Sequence, residues 1–224
     1  MTAGTEEILL ASRRCRICGE GSKVIFRAVS SRQEESAEAL FDALLSLGAE
    51  DFTLFDIMVE DWESELSPWT AEAGGERFSG GGGETLRFLL GEALPYMDAH
   101  RNVTARYLCG YSLSALFALW AFYESGAFDG VGCCSGSLWF PGWAEYAEKR
   151  SAPTGAAVYL SLGGKEPGRG RPPMNSIGVA YDRQTRLCQA DRELGRFRME
   201  MNPGGHFSNP VLRVAKGLRW LMEK

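Results

Sequence analysis

Ser112 lies between a short apolar run and a longer one in the segment Gly110 to Ser114, which reads Gly-Tyr-Ser-Leu-Ser. This is close to G-x-S-x-G, the pattern of a sharp strand-to-helix turn that exposes a serine hydroxyl. The last position of the pattern is Ser114, and serine is small enough for the close packing of helix on strand at such a turn. A serine hydroxyl becomes a good nucleophile only beside a base and over donors for a developing oxyanion. The pattern around Ser112 therefore predicts nucleophilic catalysis, provided that the chain supplies a base and donors for the oxyanion.

The chain has two histidines, so the base must be His206 or His100. His206 follows two glycines in a predicted loop between the last strand and the last helix. Enzymes built on this kind of turn carry their residues in the order serine, acid, histidine, and a loop after the final strand suits the base. His100 lies in a polar helix end only 12 residues before Ser112, which indicates an exposed residue. We therefore predict that His206 is the base.

An acid should follow a strand between Ser112 and His206. Glu166 is the first carboxylate beyond the predicted strand 156–164. Its role would be to hold the imidazole tautomer and to stabilise its charged form. Asp182 and Asp191 are the competing acids, and both fall in a predicted helix. A loop glutamate in an ordinary ion pair is the non-catalytic alternative.

Two backbone amides should hold the oxyanion. One belongs to the residue after the nucleophile, Leu113, and the other to a loop after an earlier strand. We place that loop at the segment beginning with Val59, where Trp62 and its neighbour Asp61 are both candidates for the second donor.

The elements that must position these residues alternate between strands and helices along the chain. Strands are predicted by apolar or β-branched runs at 14–21, 23–29, 52–59, 105–109, 130–136, 156–164 and 196–201. Helices are predicted by apolar residues at helical spacing at 36–48, 84–98, 113–123, 143–149, 176–194 and 208–223. The glycine-containing segment 19–22 predicts a hairpin between the first two strands, and residues 60–83 read as one long irregular loop.

This alternation indicates an α/β protein with a mostly parallel sheet covered by helices on both faces. Such sheets carry their chemistry at the carboxyl ends of the strands. Because no linker or internal repeat divides the sequence, we predict one domain over residues 1–224 without a large lid.

Composition limits the possible partners. The 24 Lys and Arg residues against 29 Asp and Glu give a net charge of -5, which argues against non-specific nucleic-acid binding. No apolar run reaches the length of a membrane span, and the first residues lack the pattern of a secretion signal. We therefore expect a cytoplasmic protein with no membrane partner, and the sequence leaves the oligomeric state open.

The sequence implies neither a metal nor a cofactor. Cys15 and Cys18 form a C-x-x-C without a second pair at metal-binding spacing, and the six cysteines are expected to be free thiols. The glycine run 80–83 lacks the lysine and the flanking elements of a phosphate-binding loop.

Aromatic residues recur in the segments expected near the mouth of the site. Trp69 and Trp139 are the candidates for substrate binding, although ordinary packing of each ring is an equally simple reading.

Four segments, GYSLSA, CCSGSLWF, LSLGGKE and GGHF, occur in this order. Together they resemble the esterase family of α/β-hydrolases that includes enterochelin esterases, S-formylglutathione hydrolase and feruloyl esterases. The resemblance covers most of the chain from about Phe52 onward, and it implies an esterase with Ser112 and His206 in the catalytic roles. The sequence departs from the family in the last position of the turn, in the lack of an HG pair after an early strand, and in a glutamate acid.

The resulting prediction is a serine esterase with an α/β-hydrolase fold, acting on a small or medium-sized carboxylic ester through an acyl-enzyme on Ser112. An acyltransferase would use the same acyl-enzyme, and a non-catalytic binding protein would keep Ser112 only as a tight turn. A peptidase would need an extended cleft, of which the sequence gives no sign.

Overall fold

The computed structural model describes residues 4–30 and 37–223. Within these residues the chain forms ten strands: β1 Thr5–Leu10, β2 Arg13–Cys18, β3 Lys23–Ser30, β4 Phe52–Val59, β5 Thr70–Ala73, β6 Glu76–Ser79, β7 Ala105–Tyr111, β8 Gly130–Cys134, β9 Ala157–Gly163 and β10 Arg196–Asn202.

The α-helices of the same residues are α1 Ala37–Ser46, α2 Trp62–Glu65, α3 Gly82–Phe88, α4 Leu94–His100, α5 Leu113–Ser125, α6 Trp143–Ala147, α7 Ile177–Ala190 and α8 Pro210–Met222. A π-helical turn at Leu89–Ala93 joins α3 to α4, and a 3₁₀ turn at Met174–Ser176 precedes α7. The predicted start of α1 at Ser36 lies outside the described residues. None of the described helices has the length and apolar character needed to span a membrane.

Eight of the described strands form one sheet in the order β1-β2-β4-β3-β7-β8-β9-β10. β4 to β10 in this order are parallel to their neighbours, and β1 and β2 form an antiparallel margin. Helices α1 and α8 pack on one face, and α5 lies on the other with its first ten residues buried. The prediction of a mostly parallel sheet covered on both faces is confirmed.

The predicted hairpin between β2 and β3 is wrong. β2 pairs with β1 and β4, whereas β3 lies between β4 and β7. The reason is burial: β3 is buried along its central six residues and belongs in the middle of the sheet, whereas β1 is half-exposed. The hairpin turn is instead at Ala11 and Ser12, which both have positive φ angles.

The predicted irregular loop at residues 60–83 is also wrong, because it contains α2, the β5–β6 hairpin and the start of α3. Gly74 and Gly75 form the two-residue turn of the hairpin, with φ angles of 63° and 90° that suit glycine. The flanking strands are only four residues long and mostly exposed, so their alternation is too short to be distinctive.

The parallel strands bring three chain segments to one edge of the sheet. β7 ends directly before Ser112, β9 ends three residues before Glu166, and β10 ends four residues before His206. Parallel strands run in the same direction, so their carboxyl ends meet at one edge of the sheet. Ser112, Glu166 and His206 therefore all lie near that edge.

Candidate active site

Ser112 occupies a sharp turn between β7 and α5. Its φ and ψ angles are 59° and −123°, a conformation that residues with side chains rarely adopt and that costs about 1–3 kcal/mol. The surroundings hold it there: its amide donates to the Cys134 carbonyl at 3.2 Å, and its carbonyl accepts from the Ser137 amide at 3.1 Å.

Gly110 and Ser114 allow β7 and α5 to approach each other closely. A Cβ atom on Gly110 would lie 2.3 Å from the backbone carbon of Ser114, so this position needs a glycine. Ser114 is buried, and its hydroxyl donates to the Ala28 carbonyl of β3 at 2.6 Å. The departure from the G-x-S-x-G pattern thus adds a hydrogen bond between the turn and the neighbouring strand.

Glu166 and His206 form a direct pair. The imidazole Nδ1 lies 2.9 Å from the Glu166 Oε2 atom. An ionised carboxylate can only accept, so Nδ1 is the donor in this contact, and in the neutral form of the ring Nε2 carries the lone pair. Glu166 is 7% exposed, whereas the His206 side chain is 32% exposed. This arrangement fixes the orientation of the imidazole while leaving part of the ring open to solvent.

The Glu166 carboxylate stays ionised despite its burial. Burial by itself would raise the pKa of Glu166, but hydrogen bonds from His206, Ser135 and the Gly163 amide outweigh it and lower the pKa below its ordinary value of 4.5. The second oxygen, Oε1, accepts from the Ser135 hydroxyl at 2.7 Å, from the Gly163 amide at 2.7 Å and from Arg213 at 3.1 Å.

Ser112 and His206 line the same cavity, of about 390 Å³. The lining also includes Trp62 and the carboxyl end of β3 from Ala28 to Ser30. Phe207, which follows the histidine, is 91% exposed and lines the same cavity. The cavity therefore has polar groups beside aromatic and aliphatic surface.

The candidate oxyanion donors differ in their hydrogen bonds and in their position relative to the cavity. Leu113 is the first residue of α5, and its amide is one of those that a helix leaves without an intrahelical partner. The Asp61 amide already donates to the Glu65 carboxylate at 3.0 Å. Trp62 lines the cavity and Asp61 does not, so Trp62 is the better placed of these two neighbours.

Trp69 and Trp139 lie away from this cavity. Trp69 donates to the Pro141 carbonyl at 2.8 Å and its ring contacts Phe140, while Trp139 packs edge-on against Phe78. They belong to an aromatic cluster that fastens the β5–β6 hairpin to the rest of the molecule. Neither ring lines the cavity of Ser112.

The competing residues also lie elsewhere. His100 is exposed at the end of α4, stacked on Tyr96, and precedes the amino end of β7 rather than its carboxyl end. Asp182 is exposed on α7, and Asp191 accepts from the Ala152 amide at 2.7 Å. Of the carboxylates considered from the sequence, Glu166 is the one paired with His206.

Two buried arginines near the site were not identified from the sequence. Arg27 lines the cavity and forms a two-pronged ion pair with Asp56, at 2.7 and 2.6 Å. Arg213 is 2% exposed on the inner face of α8. Two features of the sequence could have indicated them. Asp56 lies inside the apolar run of β4, and Arg213 occupies a position on the apolar face of α8.

The described residues contain no group of three or more His, Cys, Asp or Glu placed to hold a metal ion. Cys15 and Cys18 are buried free thiols on β2, and burial raises the pKa of both.

Neither the family models nor the curated proteins compared with this sequence gave a match. Solved structures share its fold. An IroE-like serine hydrolase from Shewanella oneidensis aligns with a TM-score of 0.79 and 18% identity, over 97% of this chain and 79% of its own. The siderophore hydrolase EstB from Aspergillus nidulans gives 0.77 and 16%, over 99% and 96%, and EstA from the same organism gives 0.76 and 15%, over 98% and 94%. The chain therefore has the α/β-hydrolase fold that the sequence predicted.

Proposed function

We propose that this protein is a serine esterase that hydrolyses a small or medium-sized carboxylic ester through an acyl-enzyme on Ser112. The observation that carries the proposal is the 2.9 Å contact of His206 Nδ1 with a buried Glu166, at the cavity that Ser112 also lines. Two of the structural neighbours are a serine hydrolase and a siderophore hydrolase, which supports the same class of reaction.

In this mechanism the Ser112 oxygen attacks the ester carbonyl while His206 Nε2 accepts the hydroxyl proton. Glu166 holds the imidazole by its Nδ1 hydrogen and stabilises the imidazolium that forms. The amides of Leu113 and Trp62 donate to the tetrahedral oxyanion. His206 then returns the proton to the departing alcohol, which leaves an acyl group on Ser112.

Water resolves the acyl-enzyme in the second half of the cycle. The 32% exposure of the His206 side chain lets water reach the base from solvent, which supports hydrolysis over transfer to another alcohol. A cavity of about 390 Å³ suits a ligand of small to medium size.

The test is labelling by a fluorophosphonate probe, followed by hydrolysis of p-nitrophenyl esters from acetate to octanoate. We expect wild type to be labelled, and Ser112→Ala and His206→Ala each to lose labelling and roughly 10⁴-fold or more in kcat/KM. Competition with a thiol or alcohol acceptor during turnover separates acyl transfer from hydrolysis.

Two matched controls use the same residue types. Ser125→Ala changes a serine at the far end of α5, and His100→Ala changes the other histidine. Both should keep wild-type labelling. A folded wild-type protein that the probe does not label would contradict the proposal and favour a non-catalytic binding protein.

A further inference from the structure

Arg213 contacts both of the loops that carry the proposed acid and base. We infer that Arg213 is a positioning residue that clamps the Glu166 loop to the His206 loop and sets the pH range over which the site is active. This inference rests on the proposed esterase function.

One nitrogen of the guanidinium serves the acid side. Arg213 Nη1 lies 3.1 Å from Glu166 Oε1, 3.1 Å from the Ser135 hydroxyl and 3.0 Å from the Tyr111 hydroxyl. Tyr111 directly precedes Ser112, and Ser135 directly follows β8. A single nitrogen thus joins the ends of β7 and β8 to the acid that follows β9.

The other terminal nitrogen serves the base side. Arg213 Nη2 donates to the carbonyls of Pro203 and Gly205 at 3.0 and 2.8 Å, in the loop 203–209 that carries His206. The Tyr111 hydroxyl, which accepts from Nη1, donates to the His206 carbonyl at 2.5 Å. The His206 loop is therefore held directly by Nη2 and, through the Tyr111 hydroxyl, by Nη1.

The placement fits a clamp better than an ordinary buried ion pair. The side chain is 2% exposed, and its remaining nitrogen, Nε, is buried without a partner among the described residues. Burying the Nε donor without a partner is unfavourable. The contacts of the two terminal nitrogens must therefore hold the side chain in this position. A planar fork can bridge two loops in this way, whereas an ammonium group acts as a point charge.

The charge of Arg213 also has a chemical effect. Glu166 is shared between two cations whenever His206 is protonated, and the guanidinium repels the charge on the imidazole. Among residues 4–30 and 37–223, the other charged or titratable groups near His206 are Tyr111 and Cys109 from β7, Arg27 with its partner Asp56, and Lys165, whose side chain is exposed. Removing the guanidinium should therefore favour the protonated, inactive imidazole.

The experiment compares the pH dependence of kcat/KM in wild type, Arg213→Met and Arg213→Lys with a p-nitrophenyl ester. For Arg213→Met we expect the acid limb to move to higher pH by about one unit, and the plateau to fall about 100-fold because the catalytic groups lose their alignment. For Arg213→Lys, which keeps the charge but not the fork, we expect a lowered plateau with the acid limb at the wild-type position.

Arg219→Met, at a half-buried position of the same helix that does not line the cavity, is the matched control and should keep the wild-type profile. An acid limb at the wild-type position in a folded Arg213→Met would overturn the inference. If that variant does not fold, Arg213→Lys decides, because a wild-type plateau would show that the fork is unnecessary. A wild type without esterase activity would remove the proposed function as well, whereas an active wild type with unaffected variants removes only the inference.

Discussion

The two oxygens of the Glu166 carboxylate have different partners. Oε2 accepts from His206, while Oε1 accepts from Ser135, Gly163 and Arg213. Burial opposes ionisation and would raise the pKa, but the hydrogen bonds from His206, Ser135 and the Gly163 amide outweigh it and hold the pKa below the ordinary value. The same carboxylate should therefore contribute to stability as well as to catalysis.

The replacement Glu166→Gln tests this contribution. At neutral pH we expect a loss of about 3 kcal/mol in the free energy of unfolding, because Arg213 is left buried without its counter-charge. The folded-state pKa of Glu166 is lowered, so its stabilisation is complete above its ordinary value of 4.5 and disappears as the pH falls through the folded-state value. The difference between wild type and variant should therefore shrink on acidification below about pH 4.5.

Urea unfolding at a series of pH values measures this difference. Glu72→Gln, on an exposed position of β5, is the control and should follow wild type throughout. A difference between Glu166→Gln and wild type that stays constant from pH 7 to pH 3 would contradict the linkage.

At the scale of elements, the turn between β7 and α5 depends on how closely the two can pack. For Gly110→Ala we expect a loss of about 1–3 kcal/mol and of most activity, because the new Cβ would lie 2.3 Å from the Ser114 backbone and α5 must move. Thermal unfolding and fluorophosphonate labelling measure the two effects.

Gly91→Ala is the matched control on another helix-forming segment. A Cβ atom there meets nothing within 4 Å, so the substitution should be neutral or slightly stabilising. Equal effects of the two replacements would show that close packing at Gly110 is not the cause.

Elements with a long, uniform pattern were predictable from the sequence. The apolar run of β4 and the apolar residues of α5 gave their positions to within two residues. The pairing of β2 was not predictable in this way, because partners are decided by which strands are buried on both faces rather than by nearness along the chain. The antiparallel β1 was missed because its turn, Ala11–Ser12, has neither glycine nor asparagine.

The same distinction applies to the site. The order and spacing of Ser112, Glu166 and His206 were sufficient to predict that they share one edge, since each follows a strand of the parallel sheet. Trp69 and Trp139 were expected at the cavity because their segments were read as loops, and the β5–β6 hairpin carries Trp69 elsewhere. Arg213 was not predicted, because the spacing of apolar residues along a helix does not show which of its buried positions contacts a carboxylate.

At the scale of the whole molecule, the proposed nucleophile and base lie in different parts of the sheet. Ser112 follows β7, which has a strand on each side, whereas His206 follows β10, which has a strand neighbour on one side only in the described sheet. Strands at a margin open locally at lower free energy than strands in the core. The base should therefore be displaced before the fold is lost.

We expect activity to disappear at a lower urea concentration than tryptophan fluorescence and far-UV circular dichroism change, because opening of β10 separates His206 from Ser112. Hydrogen exchange by mass spectrometry should show faster exchange in β10 than in β7 under the same conditions. Coincident inactivation and unfolding curves would contradict this expectation.

The position of β10 as the last strand of the sheet also affects how long the protein stays active. If local opening is enough to inactivate it, the half-life of activity at elevated temperature depends on the last strand of the sheet rather than on the well-packed core around α5. Added contacts along β10 would then prolong activity, whereas improved packing around α5 would raise the unfolding temperature and leave the working lifetime unchanged.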